Sequence, residues 1–297
     1  MLTLTFLGVG SAFAKRNYQS NALVELWSQP PGIAKVPLET LLIDFGTTGP
    51  RSLHTLKSLP SHAYLDADGG ADYRAIDRVF VTHLHADHVG GLEELSFLNQ
   101  YKFIDAHTGD PHRPELISTA KILKDLWSHT LQGGLSAQVG RMVTIENYFR
   151  LMPVLVDTAS VAFTMGERYQ FRVFPTDHIR IQTKYDWPSC GLMISDKHTN
   201  RSIMYSGDTR FDEDGLGSFM QEADLIFHDC QLVDSPITVH ARISELRTLN
   251  ESIRKKMMLY HYEDVWDLPE FQDIEKDFDG LVKPHHRYVL FGGDGES

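Results

Sequence analysis

Three histidines and an aspartate fall within six positions of this chain, in Thr82-His83-Leu84-His85-Ala86-Asp87-His88. Imidazole nitrogens suit zinc, and a carboxylate among them can hold a second divalent ion. Isolated histidines on a loop read as solvated surface. Two imidazoles one residue apart, followed by Asp-His, have no packing reason to sit together. Such a cluster supports metal-assisted hydrolysis, because bound zinc lowers the pKa of water from about 15.7 to near 7. Further chemistry-bearing residues follow apolar runs downstream: Asp177-His178, Gly207-Asp208-Thr209, His228-Asp229 and His261.

The elements that must position these groups can be read from pattern. Val79-Phe80-Val81 reads as a buried strand that delivers the first cluster, and Gly90-Gly91 releases the chain into a helix from Leu92 to Leu98. Strands are expected at Leu2–Leu7, Asn21–Trp27, Thr40–Phe45, Tyr169–Phe174, Gly191–Ile194, Ser202–Tyr205, Leu225–Phe227 and Met257–Tyr260, with Asn200 at a turn. Helices are expected at Ser52–Leu59, Glu115–Leu126 and Val239–Lys255, and a turn at Gly133-Gly134. Ligands carried on strand ends converge at one edge of a sheet, which gives a metal site the rigidity it needs.

His83, His85, Asp87 and His88 match the H-x-H-x-D-H signature, and on it the chain resembles the metallo-β-lactamase fold superfamily. The resemblance implies an α/β fold: an αββα sandwich of two mixed β-sheets flanked by helices. It implies one metallo-hydrolase domain over residues 1–297, with an internal insertion or cap at about 101–168. It assigns His83, His85 and His178 to a first metal, Asp87, His88 and His261 to a second, and Asp208 to both. The cofactors are two divalent ions: zinc first from the His-rich donors, with manganese or iron as alternatives. Asp44, in Leu41-Leu42-Ile43-Asp44-Phe45-Gly46, is expected to hold the histidine loop and not to bind metal.

Phe227-His228-Asp229-Cys230 followed by His240 resembles the ribonuclease Z-like phosphodiesterases. There an acidic residue orients a histidine that protonates the leaving oxygen. Asp229 and His240 stand at those places, so the expected catalytic residues are Asp87, His240 and Asp229. The family carries Glu where Asp229 stands, which leaves the reach of the shorter side chain open. Only 30 positions separate His178 from Asp208, too few for the long Gly-rich arm that clamps transfer RNA. Gly46-Thr47-Thr48-Gly49 also lacks the Gly-Glu-Gly-Thr-Gln-like loop of those enzymes.

The closest resemblance is to the cyclic-nucleotide phosphodiesterases of this fold, including phage enzymes of the anti-Pycsar type that destroy cyclic-nucleotide alarm signals. The expected reaction is hydrolysis of 3′,5′-cyclic nucleotides to nucleoside monophosphates by a metal-bridging hydroxide. Competing readings are a transfer-RNA 3′-processing endoribonuclease, a metal-dependent lactonase or thioesterase, and a nucleotide-binding decoy without turnover. Arg180, Lys184 and Tyr185 follow His178 and could meet a phosphate or base, though solvated charge is the better reading. The expected partner is a small nucleotide, and the resemblance adds a homodimer.

Bulk properties bound these expectations. The chain has 297 residues, 42% hydrophobic and 23% charged, in the range of an ordinary globular protein. Its net charge of −12 disfavours extended, sequence-blind nucleic-acid binding. Two cysteines, Cys190 and Cys230, are too few for a disulfide framework and read as small buried residues in a reducing compartment. There is no basic leader and no run near the roughly 20 apolar residues of a membrane span, so the expected location is cytoplasmic. Trp127, Tyr148 and Phe149 read as local core, and the lone His107, His112 and His129 as surface.

Overall fold

The computed structural model describes residues 1–67, 70–104, 107–181, 186–235 and 239–292. Lys184 and Tyr185 lie outside the described residues. The chain divides into two compact units, one of residues 1–8, 21–154 and the segment from His285, the other of residues 9–20 and 155–284.

The first unit is built on a seven-stranded mixed sheet. Its strands are β1 (Leu2–Gly8), β2 (Asn21–Leu26), β3 (Glu39–Ile43), β4 (Arg78–Phe80), β5 (Glu115–Thr119), β6 (Arg150–Val154) and the late Arg287–Phe291 strand, in the order β6-β5-β4-β3-β2-β1 and then the late strand. The late strand, β1, β2 and β3 pair antiparallel, whereas β3, β4, β5 and β6 run parallel. Parallel strands need crossovers, and helices α1 (Gly49–Leu56) and α2 (Leu92–Tyr101) lie in two of them.

β1 alternates apolar residues with Thr, yet every position is buried. Its polar face does not meet water. Thr3 Oγ1 and Thr5 Oγ1 donate to Glu25 Oε2 at 3.1 and 3.4 Å, and Arg287 binds the same carboxylate through Nε at 3.0 Å and Nη2 at 2.9 Å. Tyr64 donates to it as well, at 2.8 Å. A buried carboxylate is tolerated when its oxygens are this fully engaged.

The second unit holds another seven-stranded mixed sheet, strung in chain order: β7 (Phe163–Met165), β8 (Tyr169–Thr176), β9 (Ser189–Asp196), β10 (Ser202–Tyr205), β11 (Leu225–Asp229), β12 (Met257–Tyr260) and β13 (Gly280–Leu281). β7 to β10 pair antiparallel and β10 to β13 parallel. β8, β10, β11 and β12 therefore all end at the same edge of that sheet. Asn200 turns the β9–β10 hairpin at φ +56°.

Three local expectations are corrected. Glu115–Leu126 is not one helix: Glu115–Thr119 is a strand and Ala120–Asp125 the helix. Parallel pairing to β4 and β6 takes Leu116 and Ile117 into the sheet, and Thr119 then caps the helix by accepting from Ile122 N at 3.1 Å. Val239–Lys255 holds two short helices, Ile243–Leu246 and Glu251–Arg254, because Asn250 restarts the chain by accepting from Ser252 N at 2.9 Å. Gly133-Gly134 lies inside the helix Gln132–Leu135, where a Cβ on Gly134 would come within 2.3 Å of Glu93 Oε1. Segment 101–168 also supplies β5 and β6 to the first sheet. Tyr148, Phe149 and both cysteines are buried.

Candidate metal centre

In the first unit the ligand-type residues follow β4 directly. His83, Asp87 and His88 are buried, and His85 is half-buried. Asp44, just past β3, holds this loop. Its Oδ1 accepts from Thr82 N at 2.8 Å, and its Oδ2 accepts from Thr82 Oγ1 at 2.7 Å. His88 Nδ1 lies 2.7 Å from Asp44 Oδ2 and His83 Nδ1 lies 3.0 Å from Thr82 Oγ1. A carboxylate only accepts, and the Thr82 hydroxyl spends its proton on Asp44. Both Nδ1 atoms therefore carry hydrogens, and both Nε2 atoms present lone pairs. Burial pushes the Asp44 carboxyl up, against the opposing pull of His88 and Thr82.

Backbone geometry completes this cradle. Asp44 sits at φ +59°, which aims its side chain back at the loop. Gly46 is needed for a different reason: a Cβ there would stand 1.7 Å from Asp87 O. Asn21 accepts from Gly46 N and donates to Asp87 O at 3.4 Å, tying the two segments together.

In the second unit the residues come from the edge where β8, β10, β11 and β12 end. His178 follows β8, Asp208 follows β10, Asp229 closes β11 and His261 follows β12 at φ +65°. Ligand atoms of Asp208, Asp229, His240 and His261 lie within 4.8 Å of one another. His261 Nε2 is 3.2 Å from Asp208 Oδ2. His178 donates from Nδ1 to Val239 O at 2.7 Å, which leaves its Nε2 lone pair available. Burial depresses the His178 pKa to about 4, with Asp208 opposing the shift, so the imidazole is neutral as a ligand must be.

His240 does not lie on a helix but in the loop before one. Its Nδ1 donates to Asp229 Oδ2 at 2.9 Å, so the shorter Asp does reach. The same oxygen accepts from Thr209 N at 2.9 Å, and Asp229 N donates to Ser206 Oγ at 2.9 Å. The imidazole is thus held through Nδ1, and its side chain keeps 19% exposure. His228 is fully buried and donates to Asp229 O at 2.7 Å, a structural role. Arg180 is engaged by Asp177 at 2.7 Å, which removes it as a ready phosphate contact.

The donors fit divalent metal. Two donors about 2.05 Å from a tetrahedral zinc stand roughly 3.3 Å apart. His83 Nε2 is 3.1 Å from His85 Nδ1, and His88 Nε2 is 3.3 Å from Asp87 Oδ2. The His261–Asp208 pair of the second unit falls at the same spacing. Asp229 Oδ1 is buried with His261 Nδ1 3.6 Å away. Sequence reasoning missed Thr82, Val239 and Ser206. Thr82 had a signal, as the residue opening the Thr-His-x-His run. The carbonyl of Val239 had none.

Comparisons with known proteins place this geometry. The family model "Anti-Pycsar protein Apyc1" matches residues 2–288. The Apyc1 anti-Pycsar protein of Paenibacillus harenae is 34% identical over 291 residues, covering 97% of this chain and 99% of that protein. Among solved structures, the metallo-β-lactamase fold protein YhfI of Bacillus subtilis superposes with a TM-score of 0.64 at 16% identity, covering 97% of this chain and all of that one. The short form of human tRNase Z superposes with a TM-score of 0.60 at 19% identity, covering 97% and 99%. The fold is thus the metallo-β-lactamase fold. Likeness at that identity does not choose a substrate.

Proposed function

Because the chain belongs to the anti-Pycsar protein Apyc1 family, we propose that it is a metal-dependent phosphodiesterase that opens 3′,5′-cyclic nucleotides to nucleoside monophosphates. The observation that carries the reaction class is the Asp229–His240 pair beside metal-type donors. A carbonyl ester needs no such acid. A phosphodiester with a poor alkoxide leaving group does.

In this reading His83, His85 and His178 would hold one ion and Asp87, His88 and His261 another, with Asp208 available to both. The assignment is supported by the family's motif pattern and by donor spacing inside each unit. Bound there, divalent ions would supply Lewis acidity and lower the pKa of a bound water toward neutrality. The chain's own groups do the rest. Asp44 and Thr82 keep His88 and His83 in the ligating tautomer. Asp87, 3.3 Å from His88 Nε2, would be both a ligand and the carboxylate that orients the attacking water. Asp229 holds His240 so that Nε2 faces the leaving oxygen. As the bond from phosphorus to that oxygen breaks, His240 delivers the proton. A homodimer belongs to the same reading and is checked by sedimentation.

A panel of cyclic nucleotides, read by chromatography on metal-loaded protein, tests the reading. Turnover of at least one is expected, and none at all would end it. His240→Ala is expected to lower kcat by about 10² to 10⁴ fold with little change in KM. An unchanged rate would favour a lactone or thioester. Cleavage of a precursor transfer RNA at comparable efficiency would favour the processing nuclease.

A further inference from the structure

A cavity of about 480 Å³ opens in the first unit, lined among others by Arg74, His107, Asp110, His112, Arg113 and Arg150. Its walls come from segments that lead into strands. The turn Tyr73–Ala75 precedes β4, Phe103 and residues 107–113 precede β5, and Arg150 opens β6. These strands are parallel, and His83 to His88 follow the far end of β4. The cavity therefore lies at the opposite edge of the same sheet from the first ligand cluster, and the proposed reaction makes no use of it.

Its charge is unusual for a chain of net charge −12. Arg74 is neutralised by Asp72, through Nε at 2.9 Å and Nη2 at 2.7 Å. Arg113 reaches the carbonyl of Glu146, at 3.5 Å. Glu115, in register with Arg150 on the neighbouring strand, is engaged by Arg78 at 3.3 Å. Among the described residues neither guanidinium pairs with a carboxylate. Nor is the wall loose. His112 donates from Nε2 to Ile76 O at 2.9 Å, and His112 N bonds Phe103 O at 3.3 Å. Arg74 and Lys102 stand 5.4 and 5.3 Å from the ring of buried Phe103, so that ring offers no open stacking face. Among the described residues, what the cavity presents is two guanidinium forks without a carboxylate partner, the Asp110 carboxylate beside them, and no open aromatic platform.

We propose that this cavity binds the phosphate end of a small phosphorylated molecule, held by Arg113 and Arg150 at a site separate from the metal ligands. Guanidinium forks match phosphate oxygens in paired, charge-assisted hydrogen bonds. A free polyphosphate and the phosphate tail of a nucleotide share that chemistry.

Calorimetric titration of the full, metal-loaded chain with inorganic pyrophosphate, and separately with adenosine diphosphate, tests the assignment. Saturable binding is expected in the wild type. It should weaken about 10² fold in Arg113→Gln/Arg150→Gln, while phosphodiester turnover stays within about twofold. The arms identify the source: tighter binding of the diphosphate nucleoside points to nucleotide, equal binding to free polyphosphate. Arg150→Gln alone, an exposed change at a strand start, serves if the double variant fails to fold, and should weaken binding about tenfold. Equal binding by variant and wild type would assign the phosphate to the metal ligands and overturn the proposal. No binding by the wild type would overturn it too.

Discussion

The two sets of ligand-type residues are built in opposite ways. In the first unit four of them fall within six positions after one strand, and one buried carboxylate, Asp44, orients the loop. In the second unit His178, Asp208, Asp229, His240 and His261 spread over more than 80 positions; four strand ends at one sheet edge gather all but His240, which a loop brings in. The first set is held by local backbone geometry, the second by sheet topology. A local set fails through a single overlap or a lost hydrogen bond. A gathered set fails through whatever loosens its strands or charges its buried groups.

That contrast can be broken in stages. The largest effect is expected from Gly46→Ala, whose Cβ would stand 1.7 Å from Asp87 O. The loop must move, and stability should fall by about 3 kcal/mol in denaturant unfolding, with metal lost from the first set. An unchanged midpoint and full metal content would mean that the cradle is not rigid.

The acid response of the metal-free chain should come from the second set. Burial takes His178 from 6.5 to about 4, so between these values the unfolded chain binds a proton that the folded chain refuses. This contribution to stability is fully present above pH 6.5 and drains as pH falls toward 4, by about 3 kcal/mol at most. His178→Gln should flatten that part of the profile. An identical profile in the variant would place the acid sensitivity elsewhere.

The mildest change sharpens the comparison. Asp44→Asn keeps the shape but cannot hold His88 and Thr82 as a charged acceptor. Metal affinity should fall about 10 to 100 fold, read by competition with a chromophoric chelator. A larger loss would make Asp44 a ligand itself.

The same contrast decides what was legible in the sequence. The His83–His88 run announced itself because its geometry is local, and strand ends at Asp208 and His261 could be placed by the apolar runs before them. The pairing of Asp229 with His240 was visible only through family resemblance. Its 2.9 Å reach depends on how the loop after β11 returns, which no spacing encodes. Glu115–Leu126 misled because Leu116 and Ile117 satisfy helical spacing as well as strand burial, and only the partners on either side decide between them. Thr3 and Thr5 alternate with apolar residues along β1, a pattern that ordinarily marks a solvent-facing side. They are buried against Glu25, a partner 20 or more positions away.

The central claim is that both sets serve divalent metal. Elemental analysis of the folded, purified chain tests it most directly. Two divalent ions per chain are predicted, with Asp208→Ala retaining at most one. A chain that folds and carries no stoichiometric metal, or an Asp208→Ala variant that keeps both ions, would contradict the account.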